Sequence, residues 1–187
     1  MSTTATDKEA TATPYPLHGG RLIGRILKDN GIDYVFGIQG GHIHSFETGF
    51  HDYGVRRIHM RHEQAGVFAA DAYARCKRQP GVCYGTAGPG MTNMVSGINQ
   101  AWLVRSPVVA LLGQHRKDLD NRRPLQEAYG PEVCKTMSKW GTFIEEWRLI
   151  PFYLRKALRE CILYPPGPVV IAMEPRALYN VADEKTL

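Results

Sequence analysis

The residues best equipped for chemistry fall in three short segments. Gly37-Ile38-Gln39-Gly40-Gly41-His42 joins glycines to an amide and an imidazole, with His44 two residues on. Arg61-His62-Glu63-Gln64 places one carboxylate beside an imidazole, and Thr86-Ala87-Gly88-Pro89-Gly90-Met91-Thr92-Asn93 mixes glycines with hydroxyl and amide side chains. Glycines let a ligand approach the backbone, a helix start presents free N–H groups, and a carboxylate can take up or give a proton. Glu63 also reads simply as an acid favoured by the positive end of a helix dipole. His42 and His44 read as acid/base groups or substrate contacts, since an unperturbed imidazole titrates near pH ~6.5, or as solvated or backbone-bonded histidines. A metal held by that pair is disfavoured for want of a third ligand, so no metal ligand is assigned.

Each segment follows a run that reads as a strand. Residues 33–38 form a short apolar run, as a buried parallel strand does, and 57–60, 82–86, 108–113 and 169–173 also read as strands. Between them lie helical patterns. Leu22, Ile23, Ile26 and Leu27 recur at helical spacing before Asn30-Gly31, and further helices are expected to run through Phe50 and over 63–76, 91–104 and 149–164. Met91, Met94, Ile98 and Trp102 are expected in a core or subunit interface. The stretch 116–140 has weak periodicity and is read as a long loop with short helical pieces; Trp140 and Trp147 receive no assignment. Alternating strands and helices predict a single α/β domain, doubly wound, with a mostly parallel central sheet and helices on both faces, spanning 17–178. Residues 1–16 and 179–187 are expected to be tails. In such a sheet the carboxyl ends of the strands lie along one edge, where ligands bind, so the three segments should converge.

Composition excludes several classes. With 43% apolar and 22% charged residues in 187, a packed core is expected, and a net charge of +5 without a sustained basic face argues against nucleic acid. The densest cluster, His115-Arg116-Lys117 with Arg122-Arg123, is interrupted by Asp118 and Asp120 and reads as a solvated loop or a contact for an anionic substrate. Four dispersed cysteines without a Cys-x-x-Cys pair fit a reducing, cytoplasmic setting, and no apolar run reaches the ~18 residues of a membrane span. Gly85-x-x-Gly88-x-Gly90 lacks the order of a dinucleotide fingerprint.

The ordered set of motifs resembles the acetolactate synthase family of thiamine enzymes. The resemblance rests on His62-Glu63-Gln64-Ala65, Phe68 to Arg75, Pro80-Gly81-Val82-Cys83, Thr86 to Asn93 with Ala87 in place of a serine, Ser106-Pro107-Val108-Val109, Gly113-Gln114, Leu125-Gln126-Glu127 and Pro166-Gly167-Pro168-Val169. It covers about residues 18–175. It implies a pyrimidine-binding domain for thiamine diphosphate, in which Glu63 hydrogen-bonds N1′ of the aminopyrimidine and promotes its imino tautomer. It places Gly40, Thr86, Gly88, Pro89, Asn93 and Gln114 at the cofactor, and Gln126 at the catalytic pocket with His42 and His44; Gln114 and Gln126 read equally as caps of loop backbone. Gln39 and His42 stand where the family has Pro before its Gly-Gly and an apolar residue after it, and the unusual His42 and His44 put ordinary acetolactate synthesis in doubt.

The family's Gly-Asp-Gly signature for the diphosphate and its magnesium does not occur in these 187 residues. The expectation is therefore a split enzyme, in which a larger subunit holds the diphosphate and Mg²⁺, in an α2β2 assembly by analogy. The expected activity is a carbon–carbon lyase or carboligase, first of the 2-hydroxyacyl-CoA lyase type, second a 2-oxoacid decarboxylase or acetolactate-type synthase. A non-catalytic regulatory subunit of the same fold is the alternative of another class.

Overall fold

The computed structural model describes residues 16–181. The expected tails at 1–15 and 182–187 lie outside the described residues. The elements alternate as α1 (Gly19–Asp29), β1 (Tyr34–Gly37), α2 (His44–Asp52), β2 (Arg56–His59), α3 (Glu63–Lys77), β3 (Gly81–Gly85), α4 (Pro89–Leu103), β4 (Val108–Gly113), α5 (Gly130–Val133), β5 (Trp140–Ile144), α6 (Ile150–Ile162), β6 (Val169–Met173) and α7 (Pro175–Tyr179).

The six strands form one sheet in the order β2-β1-β3-β4-β6-β5, and every neighbouring pair is parallel. The doubly wound α/β expectation holds, with the sheet wholly rather than mostly parallel among the described residues. Every residue of β3, β4 and β6 is buried, because helices cover both faces. One core joins β1, β3, β4 and β6 to α1, α2, α6 and α7; the other packs α3, α4 and Cys134 against the opposite face. Leu22, Ile23, Ile26 and Leu27 of α1 are at most 1% exposed, and each such burial is worth roughly 1.5–3 kcal/mol. Met91, Met94 and Ile98 of α4 are buried as expected, whereas Trp102 is half-buried under the Arg105 guanidinium.

Three details differ from the sequence reading. β5 begins at the end of the expected loop 116–140, as an edge strand paired only with β6. α4 starts at Pro89, with Gly88 as its N-cap, two residues before the expected start. The segment from Tyr179 is not wholly a tail: Tyr179 ends α7 and donates its hydroxyl to the Gly41 carbonyl at 3.1 Å, while Val181 bridges to His18. Trp147 is buried in the first core, and Trp140 lies in β5 beneath the Lys156 ammonium.

Candidate active site

The carboxyl ends of β1 to β4 carry the sequence-assigned residues. Glu63 is the first residue of α3, whose N-cap is His62; the imidazole Nδ1 accepts from Gln64 N at 3.2 Å and so caps the helix. The Glu63 side chain is half-buried, and its Oε2 accepts from Asn93 Nδ2 at 2.9 Å. Asn93 sits in the first turns of α4, so two helix starts fix one carboxylate. Its amide is spent on Glu63, and the start of α4 at Gly88 has no side-chain cap.

The glycine loops pack against one another. A Cβ at Gly40 would come 2.4 Å from Thr86 Cβ, so the bare residue lets the first loop close onto the third. Gly88 adopts φ 60°, ψ −110°, a positive-φ conformation that only glycine takes without strain, and a Cβ there would lie 2.8 Å from Gln126 Cβ. Gly41, by contrast, would carry a Cβ with nothing within 4 Å of it and faces open space. Gly40 and Gly88 thus serve loop-to-loop contact, and Gly41 is the one positioned for an incoming group. Pro89 is exposed at the start of α4.

Gln126 is held at φ 61°, with its side chain near the His42 imidazole. Burial pushes the His42 imidazole below its ordinary range; the Gln126 side chain opposes that shift and His115 adds to it. Two polar atoms at this edge, His42 Nδ1 and Thr86 Oγ1, are buried without a partner. Gln114 is 7% exposed and donates Nε2 to the Ala128 carbonyl, so its side chain is committed to loop backbone. His44 does not join the group. It opens α2, is exposed, and lies 3.8 Å from Glu47.

Sequence reasoning missed His115 as a site residue. It is 3% exposed, with Nε2 2.6 Å from Asp120 Oδ1 and 3.9 Å from Glu127 Oε1; Glu127 also accepts from Asn121 N and the Tyr129 hydroxyl. The ligand atoms of His115, Asp120 and Glu127 all lie within 4.8 Å of one another, a grouping able to hold a cation, although the sequence assigned no metal ligand. The signal was present in an imidazole immediately after Gly113-Gln114 at a strand end, obscured by the basic residues around it. Further along the same edge, beyond β6, a cavity of about 500 Å³ is lined by Lys117, Asp118, Glu145, Arg148, Glu174 and Arg176 among others, whose charges are largely paired.

The residues present fit an aminopyrimidine. A fixed carboxylate, an unpartnered hydroxyl and an open glycine lie at neighbouring strand ends. No described helix is long and apolar enough to cross a membrane.

Residues 17–133 match the family model described as thiamine pyrophosphate enzyme, N-terminal TPP binding domain. The chain is 35% identical over 164 residues to 2-hydroxyacyl-CoA lyase 2 of Danio rerio, covering 88% of this chain and 26% of that protein. It is 34% identical over 162 residues to 2-hydroxyacyl-CoA lyase 2 of Homo sapiens (87% and 26%), and 35% identical over 159 residues to acetolactate synthase 2, chloroplastic, of Brassica napus (83% and 25%). The chain thus spans about a quarter of the length of these relatives.

Proposed function

This chain belongs to the thiamine pyrophosphate enzyme family, through their N-terminal TPP binding domain, and from that premise we propose that it is the pyrimidine-binding subunit of a two-subunit carbon–carbon lyase or carboligase. The observation that carries the reading is the Glu63 carboxylate held at 2.9 Å by Asn93 beside the glycine loops. Asn93 engages one oxygen and leaves the other to hold or move a proton at N1′ of the aminopyrimidine. Thr86 offers its unpartnered hydroxyl, and Gly41 leaves room for the ring. When bound, thiamine diphosphate supplies an electron sink for making or breaking a bond next to a carbonyl. Gln126 and His42, which lie near one another, are the groups of this chain that would contact substrate.

In our reading a larger subunit, in an α2β2 complex, contributes the oxygen ligands that hold the diphosphate through Mg²⁺. The setting is reducing and cytoplasmic. The substrate class is a 2-hydroxyacyl thioester, supported by two relatives of that name. Acetolactate-type synthesis or 2-oxoacid decarboxylation is the second reading, the former supported by the plant relative of that name.

The test is to co-express this chain with a Gly-Asp-Gly subunit and measure thiamine diphosphate binding and 2-hydroxyacyl-CoA cleavage. Glu63→Gln should lower turnover by roughly 10²–10⁴-fold with assembly intact. Turnover close to wild type in that variant would refute the role of Glu63. Failure of the complex to bind cofactor at all would leave the non-catalytic subunit as the better description.

A further inference from the structure

On the face of the sheet opposite α3 and α4, a second recess of about 350 Å³ is lined by Gln39, Glu47, Arg57, His59 and Tyr84. Strand register explains its existence. Gly37 pairs with His59 on one side and with Tyr84 on the other, and paired positions of parallel neighbours point to the same face. The middle member of that row has no side chain. The Tyr84 ring leans into the space, within 2.8 Å of where a Gly37 Cβ would lie. Two residues earlier on β2, Arg57 points the same way, and Glu47 of α2 meets its guanidinium at 3.3 Å.

The hydroxyl of Tyr84 is the unexplained group. The residue is 1% exposed, and its oxygen is buried without a hydrogen-bond partner. Burial above all, and then the Glu47 charge, push its pKa up to about 12, against the pull of Arg57. It is therefore a neutral donor at physiological pH. A buried hydroxyl without a partner costs about 1–3 kcal/mol, and a ligand that accepts from it recovers that cost.

We propose that this recess is a second binding site, for a small carboxylic acid bearing a hydroxyl or amino group beside its carboxylate. The carboxylate accepts from the free N–H groups of Arg57 and from the Tyr84 hydroxyl; the neighbouring hydroxyl or ammonium donates to Glu47, with Gln39 at the rim. Arg57 and Glu47 already neutralise one another, so the site favours a monoanion or zwitterion over a phosphate dianion, which would face the Glu47 carboxylate. The volume is at the small end of ligand pockets. Gln39 directly precedes Gly40, so the ligand lies one residue from the loop that closes on Thr86. Binding here is independent of the thiamine reading.

Titration calorimetry on the full chain tests it, with L-lactate and L-alanine as probes and acetate and inorganic phosphate as comparators. One probe should bind saturably at one site, with the comparators weaker by roughly tenfold or more. Preference for alanine assigns Glu47 to an ammonium, and preference for lactate to a hydroxyl. Arg57→Gln and Tyr84→Phe should each weaken binding by roughly tenfold or more, while Glu63→Gln, on the other side of the sheet, leaves it unchanged. Tyr84→Phe removes an unpartnered group and should keep or raise the urea midpoint; should that variant misfold, Arg57→Gln and Gln39→Ala, checked by circular dichroism, carry the comparison. Absence of saturable binding by both probes, equal binding of phosphate, or binding insensitive to the folded variants would overturn the proposal.

Discussion

Glycine serves opposite ends at the α1–α2 crossing and at the strand ends. At the crossing, Cβ atoms at Gly20, Gly24 and Gly49 would lie 2.0, 2.1 and 1.9 Å from backbone carbonyl oxygens of the facing helix. Nothing there is a flexible tip that could swing aside, so the two helices touch backbone to backbone. At the strand ends, Gly40 meets a side chain, Thr86, and Gly41 meets nothing. The first region uses glycine to bring elements together, and the second also uses it to leave a space. A Cβ in the first should therefore damage the fold, and in the second the chemistry.

That contrast can be broken by substitution. Gly24→Ala should destabilise the chain by about 3 kcal/mol in urea unfolding, overriding the ~1 kcal/mol that alanine ordinarily gains in a helix. A stabilised variant would mean that the helices slide apart freely and that the distinction fails. Gly40→Ala should cost less, about 1–2 kcal/mol, because Thr86 can shift, yet cofactor-dependent turnover in the complex should fall more steeply than in variants of equal stability. Asn93→Ala sharpens the comparison further. It removes the donor to Glu63 and should lower turnover by roughly tenfold with the unfolding midpoint almost unchanged.

The smallest effect is on pH dependence. His18 caps α1 by accepting from Arg21 N at 3.3 Å, which needs an unprotonated Nδ1. Burial first, and then Arg21, hold its pKa below the ordinary value. The unfolded chain therefore binds the proton more tightly, and stability falls as pH drops from about 6.5 towards the lowered folded value. His18→Asn keeps a cap and removes the titration, so the difference in unfolding midpoint between pH ~7.5 and pH ~5.5 should shrink. An unchanged difference would assign the dependence to other groups, His42 among them.

The layered fold was legible because buried parallel strands and amphipathic helices leave different periods, and the Glu63, Thr86 and Asn93 segments were legible because their spacing is local. β5 was not. An edge strand, Trp140 to Ile144, is largely half-buried and follows a loop with no period of its own. Nor could the loop bearing His115 be read, because it is shaped by left-handed backbone at Asn121, Arg123 and Gln126, none of them glycine. Those conformations are set by tertiary contacts such as Gln126 against Gly88. The sequence likewise presented His42 and His44 as equivalents, and only the start of α2 between them turns one towards Gln126 and the other towards Glu47.

The position of β6 has a temporal consequence. It is the last of the six described strands to be synthesised, yet it lies between β4 and β5 and, among the described residues, is the only sheet neighbour of β5. During translation, β5 leaves the ribosome with no strand to join, and one side of β4 stays bare. Gln114, whose N–H is received by the Met173 carbonyl at 2.9 Å, likewise waits for a residue made much later. A loop built from the first two-thirds of the chain thus gains its final shape only when residues 169–173 slot into place, and the nascent molecule passes through an interval in which a bare strand edge invites pairing with a neighbouring copy.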